Sequence, residues 1–169
     1  MNKQKIIVVD INDNLIGVKF RNEIDYSKDI YRCTGIWITN FEGEILLAKR
    51  SSLKDKDPSK WGPGAAGTLE EGDTYEGNAY KELEEELGVT GAFLTKGPKV
   101  YREIPRKYFG QWYFCVLNKQ TKFTLQKEEV DEVAWVTPEF LKQDVIDHPE
   151  KYVFSLFTHL EIFFNSGNK

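Results

Sequence analysis

The chain of 169 residues has only two cysteines, Cys33 and Cys115, and two histidines, His148 and His159. Two scattered cysteines build no disulfide scaffold, and a core of this size needs none. Both lie in apolar stretches and read as buried thiols rather than a redox pair. No zinc spacing is readable among these four residues, so any metal would be held by oxygen ligands. An apolar run of about 18 residues is also missing, which excludes a membrane-spanning helix. Met1-Asn2-Lys3-Gln4-Lys5 leads into a short apolar run closed by Asp10. That run is too short for a signal-peptide core, so the expected location is cytoplasmic. Positive charge is scarce overall, with 23 Lys+Arg against 27 Asp+Glu and a net charge of -4. A general nucleic-acid binder carries a basic surplus, so no polymeric nucleic acid is expected as partner.

What remains fits a globular enzyme or binding domain. Aromatic residues make up 14 % of the chain, too many for a disordered segment. The length suits one domain spanning 1–169, and neither a repeat nor a low-complexity linker divides it. Residues 5–10 and 15–20 flank the turn Asn12-Asp13-Asn14 and predict an N-terminal hairpin over about 5–20. Strands are predicted over 31–39, 44–49, 65–69, 99–103, 111–117 and 133–136, with a loop over 51–64. Thr74 is the predicted N-cap of a helix that ends near Leu87, before Gly88. Pro138 opens a second helix and Pro149 a third, over about 150–164. Strands interleaved with helices give an α/β domain.

The helix ending at Gly88 carries the most information. Ala79, Leu83 and Leu87 recur every four residues and form an apolar stripe. Glu82, Glu85 and Glu86 stand at i, i+3 and i+4 and share another face, whereas Glu84 points away. Lys81 stands four residues before Glu85 and can pair with it. Like charges at this spacing repel. A solvated acidic face is one reading; the other is a site for Mg²⁺ or Mn²⁺, hard ions that take carboxylate oxygens.

The surroundings of this helix favour the second reading. Residues 67–89 contain Gly67, Asp73, Lys81, Glu82, Leu83, Glu85, Glu86, Gly88 and Val89. This segment resembles the Nudix box, G-x5-E-x7-R-E-U-x-E-E-x-G-U with U aliphatic. It departs at Asp73, where the family has Glu, and at Lys81, where it has Arg. Arg32, Arg50, Lys54, Trp61 and the run from Glu129 to Val136 extend the likeness over about 6–141. They resemble the branch related to isopentenyl diphosphate isomerase, as does the N-terminal hairpin.

The resemblance implies a Nudix α/β/α sandwich with a mixed β-sheet and an additional N-terminal hairpin. It implies a hydrolase cleaving a diphosphate linkage in a nucleoside diphosphate derivative, or a similar phosphorylated small molecule, with Mg²⁺ or Mn²⁺. Carried over by position, Glu82, Glu85 and Glu86 are the metal ligands, joined by the backbone carbonyl of Ala66. Glu86 and Glu129 are the candidates for the base, with Glu132 behind them. Lys81 would steady the carboxylates, but a lysine lacks the two-pronged fork of arginine. That change and the shorter Asp73 favour weaker activity, so the alternative is a catalytically weak nucleotide-binding or interaction module. Isomerase activity ranks lower. It needs a Cys just before the box and a Glu on a later strand; this chain has Ala65-Ala66 and Gly110-Gln111-Trp112 there.

Arg50, Trp61 and Arg102 are the chosen substrate contacts, with Lys54, Lys56, Lys60, Arg106 and Lys107 as further basic candidates. Val153, Leu156, Phe157, Leu160 and Phe164 form the apolar stripe of the last helix, widened by Tyr152, Phe154, Ile162 and Phe163. The excess beyond one stripe points to a homodimer interface. Charge is distributed unevenly along the chain. Residues 67–89 hold eight acids and one base, a local charge of -7. The other 146 residues hold 22 bases and 19 acids, or +3. One concentrated anionic site is set in a slightly basic domain.

Overall fold

The described residues, 4–154 and 156–165 of this computed structural model, form nine strands and three α-helices. Met1, Asn2, Lys3 and the Phe157 side chain lie outside the described residues. In chain order the elements are β1 (Lys5–Val9), β2 (Leu15–Phe20), β3 (Ile30–Thr39), β4 (Ile45–Arg50), β5 (Trp61–Pro63) and β6 (Ala65–Thr68). They continue with α1 (Tyr75–Leu87), β7 (Leu94–Arg102), β8 (Tyr108–Val116), β9 (Val130–Val136), α2 (Pro138–Asp147) and α3 (Leu156–Asn165).

β3 is the spine of a mixed sheet. β8 runs parallel to it along one edge, from Tyr31↔Tyr108 to Thr39↔Val116. Three strands share its other edge, all antiparallel: β1 at Val9↔Ile30, β6 at Gly35↔Ala66, and β4 at Ile38↔Leu46. β9 and β5 extend the sheet beyond β4, and β7 extends it beyond β8.

Alternation along β3 sends its side chains into two cores. Ile36 and Ile38 pack with Leu46, Tyr113 and Cys115 against the α1 stripe of Ala79, Leu83 and Leu87. On the opposite face Trp37, Ile45, Leu47 and Trp112 meet Leu141 and Val145 of α2 and Leu156, Leu160 and Phe163 of α3. Helices on both faces of a mixed sheet make the expected α/β sandwich. Both thiols are free, and burial pushes Cys33 up to about 12 and Cys115 up to about 11.

The ends of α1 follow the local signals. The Thr74 hydroxyl accepts from the Gly77 N–H at 3.0 Å. Gly88 takes φ 68°, the left-handed conformation that a glycine adopts without strain, and its N–H donates to the Glu84 carbonyl at 2.8 Å. Thr124 and Gln126 then donate their N–H groups to the carbonyls of Leu87 and Glu86, so the last turn is satisfied by a distant loop.

Three expectations need correction. The third helix begins at Leu156, not near 150. Pro149–Lys151 is a single 3₁₀ turn, after which Tyr152 bridges Trp61 and the Val153 N–H donates to the Trp61 carbonyl at 2.9 Å. That cross-chain pairing draws these residues out of a helix. Within the predicted loop over 51–64, residues 61–63 become β5 because β4 pairs with them. β7 starts at Leu94 rather than 99, since β8 pairs with it across an irregularity between Lys96 and Lys99. Of the residues that widen the apolar surface of α3, Tyr152 and Phe163 are buried within the chain, whereas Phe154 is exposed.

Candidate active site

Helical spacing puts the three carboxylates of α1 near β6, but not in equal environments. Glu86 is buried, Glu82 is partly buried, and Glu85 is exposed. Glu86 accepts a hydrogen bond from the Ala66 N–H at 3.1 Å. Glu82 lies against Gly67 so closely that an added Cβ there would stand 1.8 Å from its Oε1. Only a glycine leaves room for that carboxylate.

Burial raises both acids. Glu82 is pushed up to about 7, first by burial and then, against a bond from Asn78, by the charges of Glu85 and Glu129. Glu86 is pushed up to about 8, first by burial and next by Glu82. Two neighbouring carboxylates thus resist ionisation, chiefly because the fold removes them from water. Arg50, on the last residue of β4, offsets this weakly at Glu86.

Glu129 precedes β9 and lies within electrostatic reach of Glu82 and Glu86. Lys54, from the 51–60 loop, forms an ion pair with its carboxylate. Glu132 is drawn away by Lys49, 3.5 Å distant on the adjoining strand. Among the described residues, the ion pairs of Lys81 go to Glu70 at 3.9 Å and Asp73 at 4.0 Å, not to Glu85. Asp73 accepts from the Glu70 N–H at 2.9 Å and so closes the turn before α1.

Glu82, Glu86, Glu129, Arg50, Lys54 and the Ala66 backbone therefore come together. Trp61 and Arg102 do not. Trp61 packs into the core of α2 and α3, on the far face of the sheet. Arg102 lines a cavity of about 340 Å³ with Thr158, Glu161 and Ile162 of α3. Strand alternation decided both placements, and neither residue carries a local mark of which face it will join.

One residue of the cluster is not foreseen. Asn78 is fully buried; its Oδ1 accepts from the Thr34 hydroxyl at 2.6 Å and its Nδ2 donates to Glu82 Oε1 at 3.2 Å. Its position four residues before Glu82 was the available signal. The Thr34 contact, 44 residues away, was not visible in the sequence.

The donor chemistry suits a hard divalent cation: carboxylate oxygens, two of them buried and short of counter-charge. Among the described residues, however, no three His, Cys, Asp or Glu side chains are gathered tightly enough to enclose an ion. The pair Glu82 and Glu86 fits such an ion, and the exposed Glu85 would have to swing toward it.

A mixed sheet between helices, with an acidic helix face set against a glycine strand, defines a known class. The NUDIX domain model matches residues 30–157, and the chain belongs to that family. It is 34% identical over 133 residues to an uncharacterized Nudix hydrolase of Yersinia pestis, covering 78% of this chain and 72% of the relative. In structure it is similar to DR0079 from Deinococcus radiodurans, with a TM-score of 0.84 and 18% identity. That match covers 98% of this chain and 100% of the other. It is also similar to the NUDIX domain of Shewanella oneidensis NrtR, complexed with ADP ribose. There the TM-score is 0.62 and the identity 18%, over 79% of this chain and 86% of that one. Among the described residues no helix is long and apolar enough to cross a membrane.

Proposed function

We propose that this chain is a cytoplasmic, single-domain hydrolase that uses Mg²⁺ or Mn²⁺ to cleave a diphosphate linkage in a nucleoside diphosphate derivative. We further assign it to the branch related to isopentenyl diphosphate isomerase, a reading that the N-terminal hairpin of β1 and β2 supports. The observation that carries the reading is the buried Glu86 beside the partly buried Glu82, whose charge adds to the effect of burial in disfavouring its ionisation. Glu82, Glu85 and Glu86, with the Ala66 carbonyl, would hold the cation. When bound, the cation supplies charge neutralisation, polarisation of phosphorus and a more acidic water.

The residues of the chain do the rest. Glu129, held by Lys54, takes the proton of the attacking water. The water oxygen forms a new bond to phosphorus while the bridging P–O bond breaks, and the departing phosphate keeps that electron pair. Arg50 meets the phosphate charge beside Glu86. Asn78 and Gly67 fix the Glu82 carboxylate. Ala65-Ala66 carries no thiol, which leaves isomerase chemistry without its acid.

A second reading is a catalytically weak nucleotide-binding module. It is favoured by the distant contacts of Lys81 and the exposed Glu85. A phosphate-release panel of nucleoside diphosphate derivatives, with Mg²⁺ or Mn²⁺, separates the two. The hydrolase reading expects turnover on at least one compound and at least a hundredfold loss in Glu85→Gln and Glu86→Gln. Equal release by wild type and variants on every compound would favour the binding module.

A further inference from the structure

Two cations from separate segments gather over one aromatic ring, with a third within electrostatic reach of them. Tyr26 lies in the stretch between β2 and β3. Lys56 Nζ, from the 51–60 loop, stands 3.8 Å from its ring centroid. Arg106, from the turn between β7 and β8, places its guanidinium carbon 4.4 Å from the same centroid. Arg21, just after β2, is near enough for its charge to act on Lys56. Tyr31 meets Tyr26 edge-on, with centroids 5.6 Å apart, and fixes the ring.

Charges of one sign do not assemble without a reason. Burial first, then the charges of Arg106 and Arg21, hold the Lys56 ammonium below its ordinary range. The neighbouring Asp55 and Asp57 act against this more weakly. Asp57 is itself engaged, 3.4 Å from Lys60. Among the described residues, neither Lys56, Arg106 nor Arg21 forms an ion pair with a carboxylate. The partner of Arg21 is the neutral Gln4 amide, at 2.8 Å. The ring partly compensates the two cations over it, but a cation–π contact at an exposed site is worth only about 0.5–1 kcal/mol.

The cluster adjoins the carboxylate site. Arg50 Nε donates to the Lys56 carbonyl at 3.1 Å, and the charge of Arg50 also acts on Glu86. One arginine thus bonds to the Lys56 backbone and acts through its charge on Glu86. Two guanidinium forks and one ammonium suit a phosphate, which offers several acceptor oxygens and about two negative charges.

We propose that Lys56 and Arg106, arranged about Tyr26 and supported by the nearby charge of Arg21, form a second anion site that takes a phosphate group of the substrate other than the scissile diphosphate. The substrate class is then a diphosphate ester bearing a further phosphomonoester. This deepens the hydrolase reading and rests on it for the word substrate, while the anion site stands by itself.

The test begins with metal-free protein and inorganic phosphate at constant ionic strength, followed by NMR. Saturable shifts are expected at the amides of Tyr26, Lys56 and Arg106. The double variant Lys56→Ala/Arg106→Ala should raise the phosphate Kd at least tenfold. Tyr26→Phe, which keeps the ring, should leave it unchanged, and so should Lys119→Ala elsewhere on the surface. Glu86→Gln should also leave it unchanged, which separates this site from the hydrolytic one. Absence of saturable binding, or an unaltered Kd in the double variant, overturns the site. A second arm measures displacement of phosphate by ADP-ribose and by ADP-ribose 2′-phosphate. At least tenfold stronger displacement by the second compound supports a substrate-borne phosphate. Equal displacement assigns the site to free phosphate and overturns the substrate class.

Discussion

Replacing Glu86 by Gln should stabilise the metal-free protein at alkaline pH while destroying its activity. The substitution keeps shape and leaves an oxygen to accept the Ala66 N–H. It removes a charge that the site disfavours. In the unfolded chain the Glu86 carboxyl ionises near 4.5; in the folded chain it does so at about 8. The folded state therefore holds the extra proton between these limits. This contribution to stability is fully present below about pH 4.5 and is lost as pH rises through 8. A gap of that size sets an upper bound of about 5 kcal/mol. Water entry and movement of the side chain bring the expected difference to about 2–3 kcal/mol.

Thermal unfolding in EDTA reads this directly. For a chain of this size about 2–4 °C accompanies each kcal/mol, so Glu86→Gln should melt roughly 5–10 °C above wild type at pH 9. The two should coincide near pH 5. Saturating Mg²⁺ should reverse the order at pH 9, because binding to the folded state stabilises wild type and not the variant. Equal melting at both pH values, with EDTA present, would refute the claim that burial holds Glu86 in its neutral form.

Other substitutions test the supports around it. Gly67→Ala would place a Cβ 1.8 Å from Glu82 Oε1 and displace that carboxylate, so hydrolysis should fall at least tenfold while circular dichroism stays unchanged. Asn78→Ala leaves the Thr34 hydroxyl buried without its acceptor and should cost about 1–3 kcal/mol in urea unfolding. Asp13, in the turn of the N-terminal hairpin, accepts from Arg32 at 2.7 Å, Lys99 at 2.6 Å and the Tyr75 hydroxyl at 3.1 Å. Asp13→Ala should cost about 2–4 kcal/mol and increase hydrogen exchange across β1 and β2, because the partly buried Arg32 is left without a carboxylate partner.

Much of this site could be read from local pattern. Thr74, Gly88 and the spacing of Ala79, Leu83 and Leu87 act within one helix, and the structure places α1 where they indicate. The acidic face follows from the same periodicity. The inequality along it does not. Glu86 is buried and Glu85 exposed because β6 approaches one side of α1, a contact made by distant residues. Trp61 and Arg102 were misplaced for a related reason, since the face a strand residue occupies depends on register with partners far along the chain. Pro149 signalled a helix that the pairing of Tyr152 with Trp61 interrupted. Gathering Lys56 and Arg106 on Tyr26 needed three separate connecting segments to close together, which no spacing announces.

Glu82 and Glu86 are the proposed core of a divalent-metal site. Mn²⁺ titration monitored by electron paramagnetic resonance tests it without any substrate. Saturable binding is expected at pH 8, weakened at least tenfold in both Glu82→Gln and Glu86→Gln and little changed in Glu84→Gln. Binding that is absent, or that survives both substitutions unaltered, would contradict it.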